Sequence, residues 1–122
     1  MNYVLDTNII IYLLQGRLLE ELPRHAQFWI SVISELEVLS YPDLTAAEEI
    51  SAQLFFKKVV SVELSSDIKQ LTIDFRRRYR LKLPDALIVA TAKSLQAVLL
   101  TNDLKLTKIP DLVSQQMDVH IS

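Results

Sequence analysis

The chain has 122 residues, a length that fits one domain with its own core. Half of its residues are hydrophobic, one is glycine and none is cysteine, which excludes a disordered segment, a thiol nucleophile, a disulfide framework and a thiolate zinc site. The formal net charge of −2 excludes nucleic-acid affinity through bulk charge alone, although a bound cation supplies local positive charge that a residue count omits.

Strand-like and helix-like segments alternate from the start. Tyr3-Val4-Leu5 is a short apolar strand, followed by a helical run from Thr7 to about Leu14. Phe28 to Val32 reads as a second strand, and Ser34 to Leu39 as a short helix ending near Pro42. Thr45-Ala46-Ala47-Glu48 is a capping box that opens a helix to about Lys57. Val59 to Glu63 is a third strand, rich in β-branched residues. Ser65 to about Arg80 is helical, with Ile68, Leu71, Phe75 and Tyr79 spaced along one buried stripe. Pro84 suits the first turn of a helix reaching about Leu95. Ala97 to Leu100 is a fourth strand, and a fifth is expected near Leu112-Val113 or Met117 to Ile121. This order predicts an α/β fold with a mostly parallel sheet of four to five strands covered on both faces.

Met1-Asn2-Tyr3 carries no basic run, and Asp6 and Asn8 interrupt the first apolar stretch, so no secretory leader is expected. Lys93, Ser94 and Gln96 interrupt the apolar stretch from Ala86 to Leu100, which is therefore no membrane span. A cytoplasmic location is expected.

In a parallel sheet the carboxyl ends of the strands and the N-termini of the following helices share one edge, where ligands bind. Asp6 follows the first strand, Glu37 lies in the helix after the second, Asp85 sits in the first turn after Pro84, and Asp103 lies just past the fourth strand. Each acid also has an ordinary reading. Asp6 could cap the first helix, and Ser34 with Glu37 could form a capping box, with Glu35 a rival for the role of Glu37. Asp85 suits the helix dipole, and Asp103 suits a turn. The joint pattern needs more. Two carboxylates about 5 Å apart repel by roughly 3 kcal/mol at an effective dielectric of ~20. Four of them would strain a domain that is only about 5–15 kcal/mol stable. A hard divalent cation removes that cost, and oxygen ligands point to Mg²⁺ or Mn²⁺.

The segments Tyr3 to Asn8, Ile30 to Glu37, Leu83 to Ala92 and Leu99 to Asp103 together resemble the PIN domain, specifically the VapC-type toxin ribonucleases of type II toxin–antitoxin pairs. The resemblance covers nearly the whole chain. It implies a single three-layer α/β/α PIN-like nuclease domain over residues 1–122 and hydrolysis of RNA that depends on Mg²⁺ or Mn²⁺. It makes Asp6 and Asp85 the principal metal ligands, with Glu37 and Asp103 completing a catalytic and metal-binding set of four. Asn8 and Thr101 would be polar supports. It further implies a homodimer, a cognate antitoxin protein as partner and no membrane association. The mechanism expected is in-line attack of metal-activated water on a backbone phosphorus, with Glu37 or Asp103 orienting the water, and Asp6→Asn is expected to abolish cleavage and leave a folded chain. The chain departs from many relatives at Ser40-Tyr41-Pro42 after the second acid and at Leu104-Lys105-Leu106 after the fourth, which bears on local loop geometry and on the role of Asp103.

The one dense basic run holds Arg76, Arg77, Arg78, Arg80 and Lys82. It reads either as a solvated helix terminus complementing the dipole or as an RNA-phosphate contact. His25 and His120 lack ligand spacing, and Trp29 reads as core. Leu13, Leu14, Leu18, Leu19 and Leu22 could be core or a docking surface. The competing functions are a noncatalytic PIN-like binding module and a receiver-type phosphoacceptor domain. The latter needs an acidic pair after the first strand and a partner lysine that this chain does not offer.

Overall fold

A computed structural model describes residues 1–120. In chain order the elements are β1 (Asn2–Leu5), α1 (Thr7–Leu14), β2 (Gln27–Ser31), α2 (Val32–Leu39), α3 (Ala46–Phe56), β3 (Val60–Val62), α4 (Ser66–Tyr79), α5 (Leu83–Ser94), β4 (Val98–Leu100), α6 (Leu104–Thr107) and β5 (Ser114–Gln115). The five described strands form one sheet in the order β3-β2-β1-β4-β5, with every pairing parallel. The chain enters at the centre, builds outward through β2 and β3, then returns to lay β4 on the other side of β1. The order reverses between β1 and β4, and a crevice opens beyond the carboxyl ends of strands at such a reversal.

Strand periodicity divides the core between the two faces. In β1, Val4 points to the face covered by α4 and α5, where it meets Phe75, Ile88, Val89 and Leu99. Its neighbours Tyr3 and Leu5 point the other way, to Ile9, Ile10, Ile30, Val38, Ala52 and Leu100. Leu99 and Leu100 split in the same manner. Both faces are covered, which is why these strands read as unbroken apolar runs. The stripe on α4 is confirmed, with Ile68 and Phe75 buried and Leu71 and Tyr79 packed at its margin. Trp29 is half-buried against the same cluster. Of the N-terminal leucines, Leu14, Leu18 and Leu22 pack on the second cluster, whereas Leu19 is exposed.

Two expectations need correction. Helix α2 begins at Val32 with Ser31 as its N-cap, so Ser34 lies inside the helix and forms no capping box with Glu37. The last strand falls at Ser114–Gln115, between the two expected positions; Ile121, in the second of these, lies outside the described residues. The Thr45–Glu48 capping box is present with both reciprocal hydrogen bonds. Among the described residues no helix is long and apolar enough to cross a membrane.

Candidate active site

Register places the first two site residues. Leu5 of β1 pairs with Leu100 of β4, so the residues that follow, Asp6 and Thr101, emerge side by side from the edge. The Asp6 amide donates to the Leu100 carbonyl at 3.0 Å, and Thr101 Oγ1 donates to Asp6 Oδ2 at 2.6 Å. The other carboxylate oxygen, Oδ1, accepts from the Thr7 amide at 2.8 Å and caps α1. Capping and site roles thus fall to the same side chain. Asp6 is only 6% exposed.

Helix α5 runs back against the sheet, and its N-terminus therefore lies at this same edge. Pro84 in its first turn carries no donor that the helix would miss, and Asp85 follows it. Asp103 arrives from the end of β4 and caps α6, accepting from the Lys105 amide at 2.9 Å. Its own amide donates to Thr101 Oγ1 at 3.1 Å. Glu37 comes from α2, and its Oε1 accepts from Thr7 Oγ1 at 2.8 Å, while the same hydroxyl meets the buried Ser34 Oγ at 2.9 Å. Glu35 faces away and accepts from Ser61 Oγ of β3 at 3.2 Å. Of the two acids on α2, Glu37 is the one linked to Asp6, through Thr7.

Electrostatics tie the aspartates together. Burial pushes the Asp6 carboxyl above the ordinary aspartate range; the hydrogen bonds from Thr101 and Thr7 pull it back, and the charges of Asp85 and Asp103 push it up again. Asp85 is also raised, first by burial and then by Asp103, with Lys82 and Lys105 opposing. None of the four acids forms an ion pair among the described residues. A raised pKa means that the folded chain holds the proton more tightly than the unfolded chain. The resulting penalty is absent below the ordinary aspartate value of 3.8, grows as pH rises through the raised folded value, and is complete above it. Asp85→Asn is therefore expected to melt slightly above wild type in chelator at pH 7, with the gap closing as the pH falls toward 4. A gap that persisted at the acid end would assign the gain to something other than charge.

This donor set fits a hard divalent cation. It consists of carboxylate oxygens, it is short of countercharge, and burial of Asp6 makes its negative charge costly without a partner. Among the described residues no three acidic or imidazole groups stand ready-arranged as a cage. Mg²⁺ requires none, since it binds through one or two carboxylates and keeps several waters.

The remaining candidates separate. Thr101 is fully buried between Asp6 and Asp103, whereas Asn8 is exposed and the neighbouring Thr7 makes the linking contact. Sequence reasoning missed Thr7; the available signal was a hydroxyl at the first helical position beside a buried acid. It also missed Asn102, whose amide both donates to the Met117 carbonyl at 2.7 Å and accepts from the Met117 amide at 2.8 Å. That pair of hydrogen bonds moors the C-terminal segment beside the site. In the basic run, Arg78 pairs with Asp74 at 2.6 Å and Asp111 at 3.6 Å and lies over the rings of Phe75 and Tyr79. Arg76 Nε donates to the Leu81 carbonyl at 3.2 Å. Arg77, Arg80 and Lys82 are exposed and free of ion pairs among the described residues.

The model of the PIN domain family matches residues 3–112. Comparison with curated proteins returns no match. Among solved structures, the chain is similar to a chain of a toxin–antitoxin complex from Klebsiella pneumoniae, at 32% identity over 91% of this chain and 95% of that one, with a TM-score of 0.75. It is similar to a chain of VapBC-1 from nontypeable Haemophilus influenzae, at 26% identity over 95% and 98%, with a TM-score of 0.75. It also shares its fold with a chain of VapBC2 from Rickettsia felis bound to a promoter DNA fragment, at 21% identity over 97% and 100%, with a TM-score of 0.81. The expected three-layer α/β/α arrangement is the one these chains share, and the receiver-type alternative falls. With its strand-switch edge and a family match running from Tyr3 to Leu112, the chain belongs to the PIN-domain family.

Proposed function

We propose that this chain is a divalent-metal-dependent endoribonuclease and the toxin of a toxin–antitoxin pair, with a cognate antitoxin protein as its inhibitor. The observation that carries the catalytic part is the hydrogen-bonded cluster at the strand-switch edge, where Thr101 joins Asp6 to Asp103 and Thr7 joins Asp6 to Glu37, with no ion pair to any of these acids among the described residues. Likeness to chains of toxin–antitoxin complexes supports the toxin and antitoxin part of this reading; a homodimer acting in the cytoplasm is proposed with it.

Asp6 and Asp85 would hold Mg²⁺ or Mn²⁺, with Glu37 and Asp103 completing the set directly or through water. When bound, the ion would polarise the phosphoryl oxygens, lower the pKa of a water and stabilise the leaving oxygen. The chain's own contribution is orientation. Thr101 and the Thr7 amide fix both oxygens of Asp6, so this carboxylate is held in one rotamer. Thr7 holds Oε1 of Glu37, leaving Oε2 to accept a proton from water directed in line at phosphorus. Asp103, fixed by its cap to the Lys105 amide, can orient the same water or the leaving oxygen. Water is the nucleophile in this reading, and hydrolysis proceeds without a covalent enzyme intermediate.

The test is cleavage of total cellular RNA by purified chain, followed by sequencing of the new ends. Cleavage is expected to vanish in chelator and to return with Mg²⁺ or Mn²⁺. Equal cleavage in chelator would remove the metal from the reaction, and no cleavage under any metal would leave a binding module.

A further inference from the structure

Helix capping marks an anomaly beside the site. Among the described helices, α1, α2, α3, α4 and α6 are capped by Asp6, Ser31, Thr45, Ser65 and Asp103, and each of these side chains accepts a backbone N–H. Helix α5 alone has a lysine there, Lys82, and makes no side-chain cap. A lysine cannot accept a hydrogen bond, and its charge opposes the positive pole of the helix. Local stability therefore disfavours Lys82 three residues before Asp85. On the other side, the Lys105 ammonium reaches back to the Arg80 carbonyl at 3.4 Å, which bridges α6 to the end of α4. Both ammonium groups act on Asp85 without forming an ion pair with it. Beyond them, exposed Arg77 and Arg80 border a depression with Ile73 and Leu81 in its lining.

We propose that Lys82 and Lys105 grip the phosphate backbone of single-stranded RNA next to the bond to be cut, and that Arg77 and Arg80 carry the strand away over the end of α4. This divides the basic run. Arg78 is committed to Asp74, Asp111 and two aromatic rings and lies outside the path. Lys105, outside the run, joins it. The inference rests on the ribonuclease reading and names the side from which substrate reaches the acids.

The experiment measures binding of a short fluorescein-labelled single-stranded RNA of mixed sequence, in Mg²⁺ and over a range of salt, to Asp6→Asn protein so that cleavage does not intervene. Adding Lys82→Ser and Lys105→Met is expected to make the slope of log affinity against log salt shallower by about 1.4, two phosphate contacts at about 0.7 each. Lys82→Ser also restores a cap, which offsets the attraction to Asp85 that is lost, so this variant should melt no lower than its parent while it binds RNA more weakly, and damage to the fold cannot account for the loss. Lys82→Arg should keep the wild-type slope. Lys58→Ser, beside Met1 and Gln27 and away from the acids, should leave the slope unchanged. An unaltered slope in the double variant, or an equal fall with Lys58→Ser, would overturn the grip and leave the nuclease reading standing. Absence of RNA binding by the parent Asp6→Asn protein at every salt concentration would overturn the grip, and absence of RNA cleavage by the wild-type chain as well would overturn both.

Discussion

Asp6→Asn is expected to lower RNA cleavage by about 10³-fold or more while the chain keeps its fold. The magnitude follows from what the carboxylate would do: a metal's stabilisation of the developing charge is worth several kcal/mol, and each 1.36 kcal/mol is tenfold in rate. Asparagine is nearly isosteric, and its carbonyl oxygen can still cap α1 through the Thr7 amide. Its amide group, however, faces the Thr101 hydroxyl, which now donates to a carboxylate oxygen at 2.6 Å. Relief of burial and repulsion is thus offset by a hydrogen bond that must be rearranged, and the melting temperature in chelator should move little. Circular dichroism and a melting curve check the fold, and cleavage with saturating Mn²⁺ checks the chemistry. Cleavage at the wild-type rate would place the reaction elsewhere on the molecule.

The contrast between Asp6 and Asp85 shows what the sequence could and could not convey. Both acids were placed at one edge by strand–helix order alone, because a parallel sheet sends every strand end the same way. That one is buried and doubly hydrogen-bonded while the other is half-exposed depends on register. Register rests on Leu5 meeting Leu100, residues far apart in the chain. The longer elements were readable for the same reason, since periods of two and 3.6 persist over enough residues to be seen. The four residues of α6 and the two of β5 are too few to show a period, and β5 is made of polar Ser114 and Gln115 joined to β4 through backbone groups. Thr7 and Asn102 escaped for a related reason: short polar side chains act through tertiary hydrogen bonds, and nothing local marks them. In the basic run, Asp74 four residues before Arg78 was a visible helical partner, whereas Asp111 was not.

Two segments depart from the pattern of many relatives, one after the second acid and one after the fourth. Ser40-Tyr41-Pro42 follows α2 after Glu37 has already met Thr7, so the altered loop lies beyond the contact that fixes this acid. Leu104-Lys105-Leu106 begins α6, where Leu106 is buried and the Lys105 amide caps onto Asp103. The departure there anchors Asp103 and also supplies the ammonium assigned to RNA.

Thr101→Val is expected to have the second-largest effect, and through charge more than shape. Valine fills the same fully buried space and removes only the hydroxyl. Two bonds go with it, the one donated to Asp6 and the one accepted from the Asp103 amide. Leaving a buried charged group short of a donor costs about 1–3 kcal/mol, so the variant should melt lower. The same loss removes the strongest influence holding the Asp6 pKa down, so it should climb further above the ordinary range. The hydroxyl also fixes the orientation of this carboxylate, and Mg²⁺ affinity should fall about 10–100-fold, as when other partners of metal ligands are removed. The acid limb of the pH–rate profile should move to higher pH. Thr101→Ser, which keeps the hydroxyl, should restore both affinity and profile while recovering little of the packing. A valine variant that melts lower yet keeps its Mg²⁺ affinity and acid limb would confine the Thr101 hydroxyl to holding the fold, and would separate the Asp6 charge from the hydrogen bond that now steadies it.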